Sequence, residues 1–244
     1  MDFKSIKNLQ AELAGYGLLL CEVKAVDQLP DNIWLGKPHY QSGSILLVGN
    51  AGAGFWSELT KDGLQGDDPV DQFSVKVTEQ ALAKHLPDVS RECLFPEAVC
   101  ELNLLALGRA FAWHTRSPLG MGIHADYGLW SAFRAAWWLG VSIDRNVDAP
   151  VSDALVTGTT DVCSGCQSQA CISHCPAEAL SMSSSPRLNR CADYRLSDQS
   201  QCTSTCIARV ACPYAAEHRY SKEQITYHYE LALSAIADYR HVSD

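Results

Sequence analysis

Hydrophobic side chains recur at intervals of three and four in several stretches of the chain, a spacing that predicts amphipathic helices. These stretches are 3–13, 68–86, 96–113 and 221–239. In the second of them Pro69 suits a first helical turn, and Asp67 or Asp68 is placed to cap it. The pattern therefore predicts helices on both sides of the middle of the chain.

Short apolar runs between these helices predict buried strands. The runs are Leu18–Leu20, Ser44–Val48, Met121–His124 and Phe133–Val141. The last run is rich in aromatic and small residues, as a central strand can be. Glycines over 49–54 are expected to end the second strand in a plain turn, because the segment lacks the Lys-Ser/Thr pair of a phosphate-binding loop.

The pattern changes after residue 144. Residues 144–160 are polar and predict a crossing loop, and residues 161–214 are dominated by Cys, Ser, Thr and Gln with little hydrophobic periodicity. Such a stretch buries too little apolar surface to order itself without help. We therefore expect two domains: residues 1–150 with 216–244 as one α+β domain, and residues 151–215 as a small module.

The composition of the chain indicates where in the cell the protein is expected and which classes of partner are disfavoured. No uncharged apolar stretch is long enough for a membrane span, and the start has no signal-peptide pattern, so we expect a cytoplasmic protein. In that reducing compartment, eleven cysteines are expected to be ligands or catalytic groups rather than disulfides. The net charge of −9 disfavours a nucleic-acid partner, because binding to phosphates uses Lys and Arg.

Eight of the cysteines form two groups of four, and each group ends in Cys-Pro. The first group is Cys163-x2-Cys166-x4-Cys171-x3-Cys175, and the second is Cys191-x10-Cys202-x3-Cys206-x5-Cys212. Bacterial two-cluster ferredoxins use a Cys-x2-Cys-x2-Cys-x3-Cys-Pro run whose fourth cysteine binds the other cluster. The loops here are longer than in that run. We nevertheless predict two 4Fe–4S clusters with the same crossover.

The predicted crossover gives two ligand sets. One cluster takes Cys163, Cys166, Cys171 and Cys212, and the other takes Cys191, Cys202, Cys206 and Cys175. The alternatives are two Zn(Cys)4 sites, one cluster with spare cysteines, or disulfides. His174 could be a ligand but is expected to orient its loop. Cys21, Cys93 and Cys100 lie in apolar elements and are expected to be buried packing residues.

Three segments resemble the cobalamin-processing CblC family (the methylmalonic aciduria and homocystinuria type C protein). Residues 68–72 read Asp-Pro-Val-Asp-Gln, as at a helix start in that family. Residues 122–134 are similar to its Ile-His-Pro-Arg-Phe-Gly-Gly-Trp-Phe-Ala-Ile-Arg strand pair, and 219–224 to its Arg-Tyr-Ser-Glu-Glu-Gln. A cysteine module between such segments resembles epoxyqueuosine reductases and reductive dehalogenases.

The resemblance implies a flavin-reductase-like (nitroreductase) α+β fold that binds cobalamin. Arg134 and Arg219 fall on arginines that contact glutathione in the family. A third arginine has no counterpart here, and Leu105 stands where the family has a histidine. Both departures disfavour dealkylation by glutathione, while cobalamin binding is less affected.

Further candidates for binding a cofactor or substrate are His114, His124, Tyr127 and Gly128. Each has an ordinary alternative: a helix-end residue, a packing residue or a turn. Arg134, in an otherwise apolar strand, must pair, face solvent or bind an anion, because an unpaired buried charge is costly.

These observations lead to one hypothesis for the function and two alternatives. The leading hypothesis is an iron–sulfur oxidoreductase that takes electrons from a ferredoxin or flavoprotein and passes them to a corrin cobalt. It would remove an upper ligand or reduce a small substrate. The alternatives are an epoxyqueuosine-type tRNA reductase and a non-enzymatic ferredoxin-like carrier or cobalamin chaperone. A flavin in place of the corrin also stays open.

Overall fold

The computed structural model describes residues 3–37, 39–97, 102–142 and 161–243. These residues form a mixed α/β fold with an antiparallel sheet, and they fall into two compact units. The first unit lies within Met1–Trp113 and Ser131–Thr159, and the second within His114–Trp130 and Thr160–Asp244. The unit that contains the cysteine groups thus also contains residues 114–130 and the C-terminal helix.

The described elements are short apart from three helices, the first, the third and the last along the chain. The strands are β1 (Leu20–Ala25), β2 (Ser44–Ala51), β3 (Arg91–Phe95), β4 (Thr115–Arg116), β5 (Gly122–Ile123) and β6 (Ser131–Leu139). The helices are α1 (Phe3–Gly15), α2 (Gly54–Thr60), α3 (Pro69–His85), α4 (Leu104–Ala110), α5 (Ala170–Ser173), α6 (Leu188–Leu196), α7 (Ile207–Ala211) and α8 (Lys222–Ser243).

A four-stranded antiparallel sheet in the order β1-β2-β6-β3 forms the centre of the first unit. All eight residues of β2 are buried, as expected for a continuous apolar run covered on both faces. Ile45 and Leu47 pack into a core with Trp34, Leu107 and Phe111. Because side chains alternate along a strand, the residues between them face the other side of the sheet.

Helix α3 contacts both α1 and α2, and all three helices contact the sheet. The helices predicted from periodicity over 3–13 and 68–86 are therefore confirmed as α1 and α3. Pro69 is the first residue of α3, as predicted. Asp68 holds the capping position, but its side chain makes no capping hydrogen bond. The predicted central strand is also confirmed, since β6 lies between β2 and β3.

Three boundaries differ from the predictions. The helix predicted over 96–113 is, in the described part, only α4; the Asn103 side chain accepts a hydrogen bond from the backbone N–H of Ala106 and begins the helix there. The first strand shares only Leu20 with the predicted run Leu18–Leu20, because pairing with β2 begins at Leu20, opposite Gly49, and continues to Ala25. β2 continues past residue 48 because its last residues pair with the start of β6. Strand β3 was not predicted.

The second unit has little regular structure. β4 and β5 form a two-stranded ladder, α5 contacts α7, and α6 contacts α8. Its described apolar cluster contains only Trp130, Tyr220 and Ile225, with Val210 and Tyr229 packed against it. Although α8 has 22 residues, no helix in the described residues combines the length and apolarity needed to cross a membrane.

Candidate metal centre

Five of the eight clustered cysteines lie on the short helices of the second unit or close to their ends, and Cys163, Cys166 and Cys202 lie in turns and loops. Cys171 is in α5, and Cys175 follows that helix and precedes a proline. Cys191 is in the middle of α6. Cys206 and Cys212 are the two residues that flank α7, and a proline follows the second of them. Since α5 and α7 are in contact, the two helix–Cys–Pro segments lie side by side.

One set of four thiols gathers in this unit. Burial, followed by the charges of Cys171, Cys212 and Cys166, raises the pKa of Cys163 to about 11. Burial also raises the pKa values of Cys171 and Cys212, and the charge of Cys166 raises both pKa values further. We call Cys163, Cys166, Cys171 and Cys212 the first cysteine set.

A second set of four thiols gathers in the same way. Burial raises the pKa of Cys191, and the charges of Cys206, Cys175 and Cys202 raise it further. Burial likewise raises the pKa of Cys202, with Cys206 and Cys175 again contributing. We call Cys175, Cys191, Cys202 and Cys206 the second cysteine set. The two sets have the same members as the two predicted ligand sets, including the exchange of the fourth cysteine between groups.

The first cysteine set lines a cavity of about 490 Å³. A volume of this size lies within the range of about 300–1,000 Å³ typical of small-ligand pockets. The other walls are mostly apolar, and they include Leu119, Ile123, Leu129 and Met182. The cavity therefore combines four soft sulfur donors with mostly apolar walls.

The alternatives to iron–sulfur ligation are disulfides and zinc sites. The ten described cysteines are all free thiols. Within the described residues, no group of three or more His, Cys, Asp or Glu side chains is arranged to hold a metal ion. Four thiolates around one tetrahedral zinc would lie about 3.8 Å apart, because each Zn–S bond is about 2.3 Å. A four-iron cluster binds each thiolate at a separate corner and so spreads its ligands more widely.

Backbone N–H groups point at several of the sulfurs. The Sγ atom of Cys206 accepts a hydrogen bond from the N–H of Arg209 at 3.4 Å. The Ser168 hydroxyl, 3.6 Å from the sulfur, and the backbone N–H of Gln169 lower the pKa of Cys166. Such hydrogen bonds favour the thiolate, the form that binds metal. They are also one of the terms that set the potential of an iron–sulfur cluster.

Two arginines are buried beside the second cysteine set. Arg195 is 9% exposed; its Nε donates to the carbonyl of Cys202 at 3.0 Å and its Nη2 to the carbonyl of Tyr229 at 2.7 Å. Arg209 is 8% exposed and donates to the carbonyl of Leu129 at 2.6 Å. Its guanidinium lies 4.7 Å from the ring centre of Trp130. These side chains tie the cysteine segments to the rest of the unit.

Within the part of the chain that the structure describes, neither buried charge has a carboxylate partner. Among the described residues, the ion pairs of this unit's arginines are Arg190 with Glu178 and Arg240 with Asp193. A buried guanidinium is costly unless an anion compensates it. The charges that do reach Arg195 are those of Cys191 and Cys202, whose pKa values it lowers against the larger effect of burial. Within the described residues, cysteine sulfurs rather than carboxylates are therefore the groups placed to compensate the charge of Arg195.

Arg219, a predicted binding residue, lies at the first cysteine set. Its Nη2 donates to the carbonyl of Val210 at 2.8 Å, and its guanidinium lies 5.7 Å from the ring centre of Trp130. Its charge acts to lower the pKa of Cys212, although burial raises that pKa overall. The side chain is exposed, unlike the two arginines beside the second set.

Three other predicted residues form one turn in the second unit. His124 and Gly128 exchange backbone hydrogen bonds, and the φ angle of +55° at Gly128 suits glycine. A Cβ there would lie 2.7 Å from the carbonyl oxygen of Tyr214. Tyr127 lies edge-on to His218, with 4.9 Å between ring centres. The turn is therefore packed against the residues that follow the last cysteine.

The two predicted histidines are both buried. The Nδ1 atom of His124 accepts hydrogen bonds from the backbone N–H groups of Asp126 at 3.0 Å and Tyr127 at 3.4 Å. Burial lowers its pKa, so the ring is neutral with its proton on Nε2. The ring of His114 packs directly on Gly122, where a Cβ would lie 2.3 Å from the ring. Both environments fit packing roles as well as binding roles.

Arg134 lies in the first unit and is buried in a polar network. Its Nε donates to Oδ1 of Asn50 at 2.7 Å, and its guanidinium lies 5.0 Å from the ring centre of Phe55. Its charge also lowers the pKa of Asp71, although burial raises that pKa overall. This side chain thus connects β6 with β2, α2 and α3. The contacts fit the alternative that Arg134 is paired within the fold.

The remaining cysteines and His174 have ordinary environments. Burial raises the pKa of Cys21 to about 12 and that of Cys93 to about 11, so both are neutral packing residues. Cys100 lies outside the described residues. The exposed His174 bonds through Nδ1 to the carbonyl of Ala170 at 2.9 Å, which orients its loop.

Sequence reasoning missed Arg195 and Arg209. A signal was nevertheless present: Arg195 follows Cys191 by four residues and Arg209 follows Cys206 by three. On a helix these spacings put a cation on the same face as the cysteine.

We compared the chain with known proteins. It matches no protein-family model, and a search of curated proteins gives no match.

Proposed function

We propose that this chain is an iron–sulfur protein that binds two 4Fe–4S clusters, one on the first cysteine set and one on the second, and transfers electrons. The observation that carries the proposal is the gathering of eight thiols into two sets of four. Thiolates suit iron–sulfur clusters because they are soft, anionic donors. When bound, such clusters store and pass single electrons at low potential.

The buried arginines support the same proposal independently of cysteine spacing. Arg195 and Arg209 need compensating negative charge, and the described residues supply no carboxylate partner to either. Arg195 interacts instead with Cys191 and Cys202, whose thiolate forms it favours. A cluster with four thiolate ligands carries net negative charge in its usual states. The protein's own contribution is then to hold the ligands, to compensate their charge and to exclude water.

Metal analysis tests this proposal. Protein purified without oxygen should contain about eight irons and about eight acid-labile sulfides per chain, four of each per cluster. Cys206→Ser should lose iron from the second set, whereas Cys21→Ala removes a buried thiol outside both sets and should keep it all. Stoichiometric zinc with little iron would overturn the proposal.

We further propose that the electron acceptor is a corrin, and that the first unit is a nitroreductase-like cobalamin-binding domain. This part rests on the sequence resemblance to the CblC family. His124, Tyr127, Gly128 and Arg219, which the resemblance or the sequence suggested for binding, lie in the second unit. Arg134 is committed to Asn50 and the charge of Asp71, so it supports this domain rather than the cofactor.

Titration with cobalamin tests the acceptor. The corrin spectrum should shift to the base-off form on the iron-loaded protein, and cobalt should be reduced faster than by protein treated with a chelator. Binding without faster reduction would favour a chaperone. Binding of flavin alone would replace the corrin, and no binding of either would leave the carrier or the epoxyqueuosine-type reductase.

A further inference from the structure

The two cysteine sets differ in the charges that surround them. Beside the second set, Arg195 is about nine-tenths buried. Beside the first set, Arg219 is exposed, and the nearby Asp161, also exposed, contributes a negative charge that raises the pKa of Cys163. A buried charge acts through a lower effective dielectric than an exposed one, so its effect on a neighbour is larger.

Arg195 is the cation held most firmly at the second set. It lies on α6, one helical turn after Cys191, and its Nε bonds to the carbonyl of Cys202. Its Nη2 bonds to the carbonyl of Tyr229, and its guanidinium stacks 4.9 Å from the centre of that ring. Two hydrogen bonds and one stacking contact fix the position of the charge relative to two ligands of the set.

A fixed positive charge favours reduction of a neighbouring cluster. One-electron reduction adds one negative charge to the cluster and to its thiolate ligands, and no bond needs to form or break. The electrostatic attraction to Arg195 is therefore stronger in the reduced state than in the oxidised state. Net charge and burial are among the factors that set the potentials of iron–sulfur clusters.

We propose that Arg195 is a positioning residue that raises the reduction potential of the cluster on the second cysteine set, so that this cluster accepts the first electron. The inference rests on the proposed two-cluster function. It predicts the order in which the two clusters are reduced. The cluster beside Arg195 is reduced first, at the higher potential, and the cluster at the apolar cavity is reduced second, at the lower potential.

A reductive titration with dithionite, followed by electron paramagnetic resonance, tests the proposal. The iron-loaded wild type should be reduced in two resolved one-electron waves. Ligand variants assign them: Cys206→Ser should change the signal of the higher wave, and Cys166→Ser that of the lower wave. Arg195→Gln should reduce the equilibrium constant of the higher wave at least tenfold, a shift of about 59 mV to more negative potential.

Two further variants separate charge from structure. Arg195→Lys keeps the charge but not the forked hydrogen bonds, so its higher wave should stay within tenfold of the wild type. Arg190→Gln removes the neighbouring arginine of α6, which is half-exposed and paired with Glu178 at 3.0 Å, and neither wave should move. Iron content and sulfide content are measured on every variant.

Several outcomes would overturn the proposal. They are an unmoved higher wave in Arg195→Gln, an equal shift of both waves, or a similar shift in Arg190→Gln. If Arg195→Gln fails to hold iron, Arg195→Lys provides the test instead. A change of more than tenfold in the equilibrium constant of its higher wave, although the charge is retained, would contradict the electrostatic role. Absence of iron from the wild type is a different result and overturns the two-cluster function itself.

Discussion

Strand β2 in the first unit and helix α6 in the second show how differently the two units bury their residues. Every residue of β2 is buried, and five of its eight side chains are aliphatic. In α6 the buried residues are Ala192 and Arg195, while Leu188 is 60% exposed and Leu196 is 42% exposed. The first unit therefore has an extensive hydrophobic core of its own. The second unit has a smaller apolar cluster and also buries arginines and thiols.

This difference has an energetic consequence. Burying one large aliphatic side chain contributes about 1.5–3 kcal/mol, so β2 alone stabilises the first unit substantially. Burying a guanidinium is unfavourable unless an anion compensates it. We therefore expect the first unit to keep its fold without any cofactor and the second to depend on what its thiols bind.

The largest effect should follow removal of the clusters. Iron-loaded protein treated with ferricyanide and a chelator should lose most amide protection in α6 and α7, while β2 and β6 keep theirs. The reason is that the binding free energy of a structural metal site is also folding free energy, on the order of 10 kcal/mol. Amide hydrogen exchange with mass spectrometry measures both units in one experiment.

Reconstitution provides the control for that experiment. Adding iron and sulfide back to the treated protein should restore the protection in α6 and α7. Equal protection before and after treatment would mean that the second unit folds by itself, and equal loss in β2 would mean that the treatment damages the first unit.

The same contrast explains what the sequence could and could not predict. Helix α3 and strand β6 follow from hydrophobic spacing, because their apolar residues face a core that lies on one side or on both. Strand β3 was missed since its pairing with β6 is a tertiary interaction between distant segments. The helix predicted over 96–113 was too long because Asn103 begins α4 well inside it.

In the second unit, chemistry was more informative than periodicity. The Cys-Pro endings and the ferredoxin crossover divide the eight cysteines into two ligand sets, and that division stays a prediction. Arg195 was missed because a buried arginine is indistinguishable by composition from a surface one. Its position became visible only through its bonds to the carbonyls of Cys202 and Tyr229.

A core substitution in the first unit should have an intermediate effect on the free energy of unfolding. Leu47→Ala removes a fully buried side chain from β2 and should lower the free energy of unfolding by about 2–5 kcal/mol, because it removes apolar contacts and leaves a cavity. Chemical denaturation followed by tryptophan fluorescence reports this unit, since five of the six tryptophans lie within it.

An exposed leucine gives the matched control. Leu35→Ala, at 62% exposure, should change the free energy of unfolding by no more than about 0.5 kcal/mol. Iron content should be unchanged in both variants. A loss of iron in Leu47→Ala at a denaturant concentration where β2 is still folded would contradict the independence of the two units.

The smallest effect concerns an ion pair on the surface of the first unit. The carboxylate of Glu12 accepts hydrogen bonds from Lys84 at 2.6 Å and from His85 at 2.7 Å, and Lys84 is the larger cause of its lowered pKa. A carboxyl group whose pKa is lower in the folded state stabilises the fold above its unfolded pKa, near 4.5. That contribution is lost as the pH falls through the lowered folded value.

Glu12→Gln should therefore reduce the free energy of unfolding by at most about 1 kcal/mol near neutral pH, as for other exposed pairs. The difference from the wild type should shrink as the pH falls below 4.5 and should also shrink at high salt. Glu58→Gln, which breaks the 3.5 Å pair with Lys61 inside one turn, is the control and should have a still smaller effect. A difference that persists unchanged at low pH would mean that Glu12 acts through packing. In that case, the ion pair of Glu12 with Lys84 and His85 would make no measurable pH-dependent contribution to the free energy of unfolding, and Glu12 would stabilise the first unit through its contacts alone.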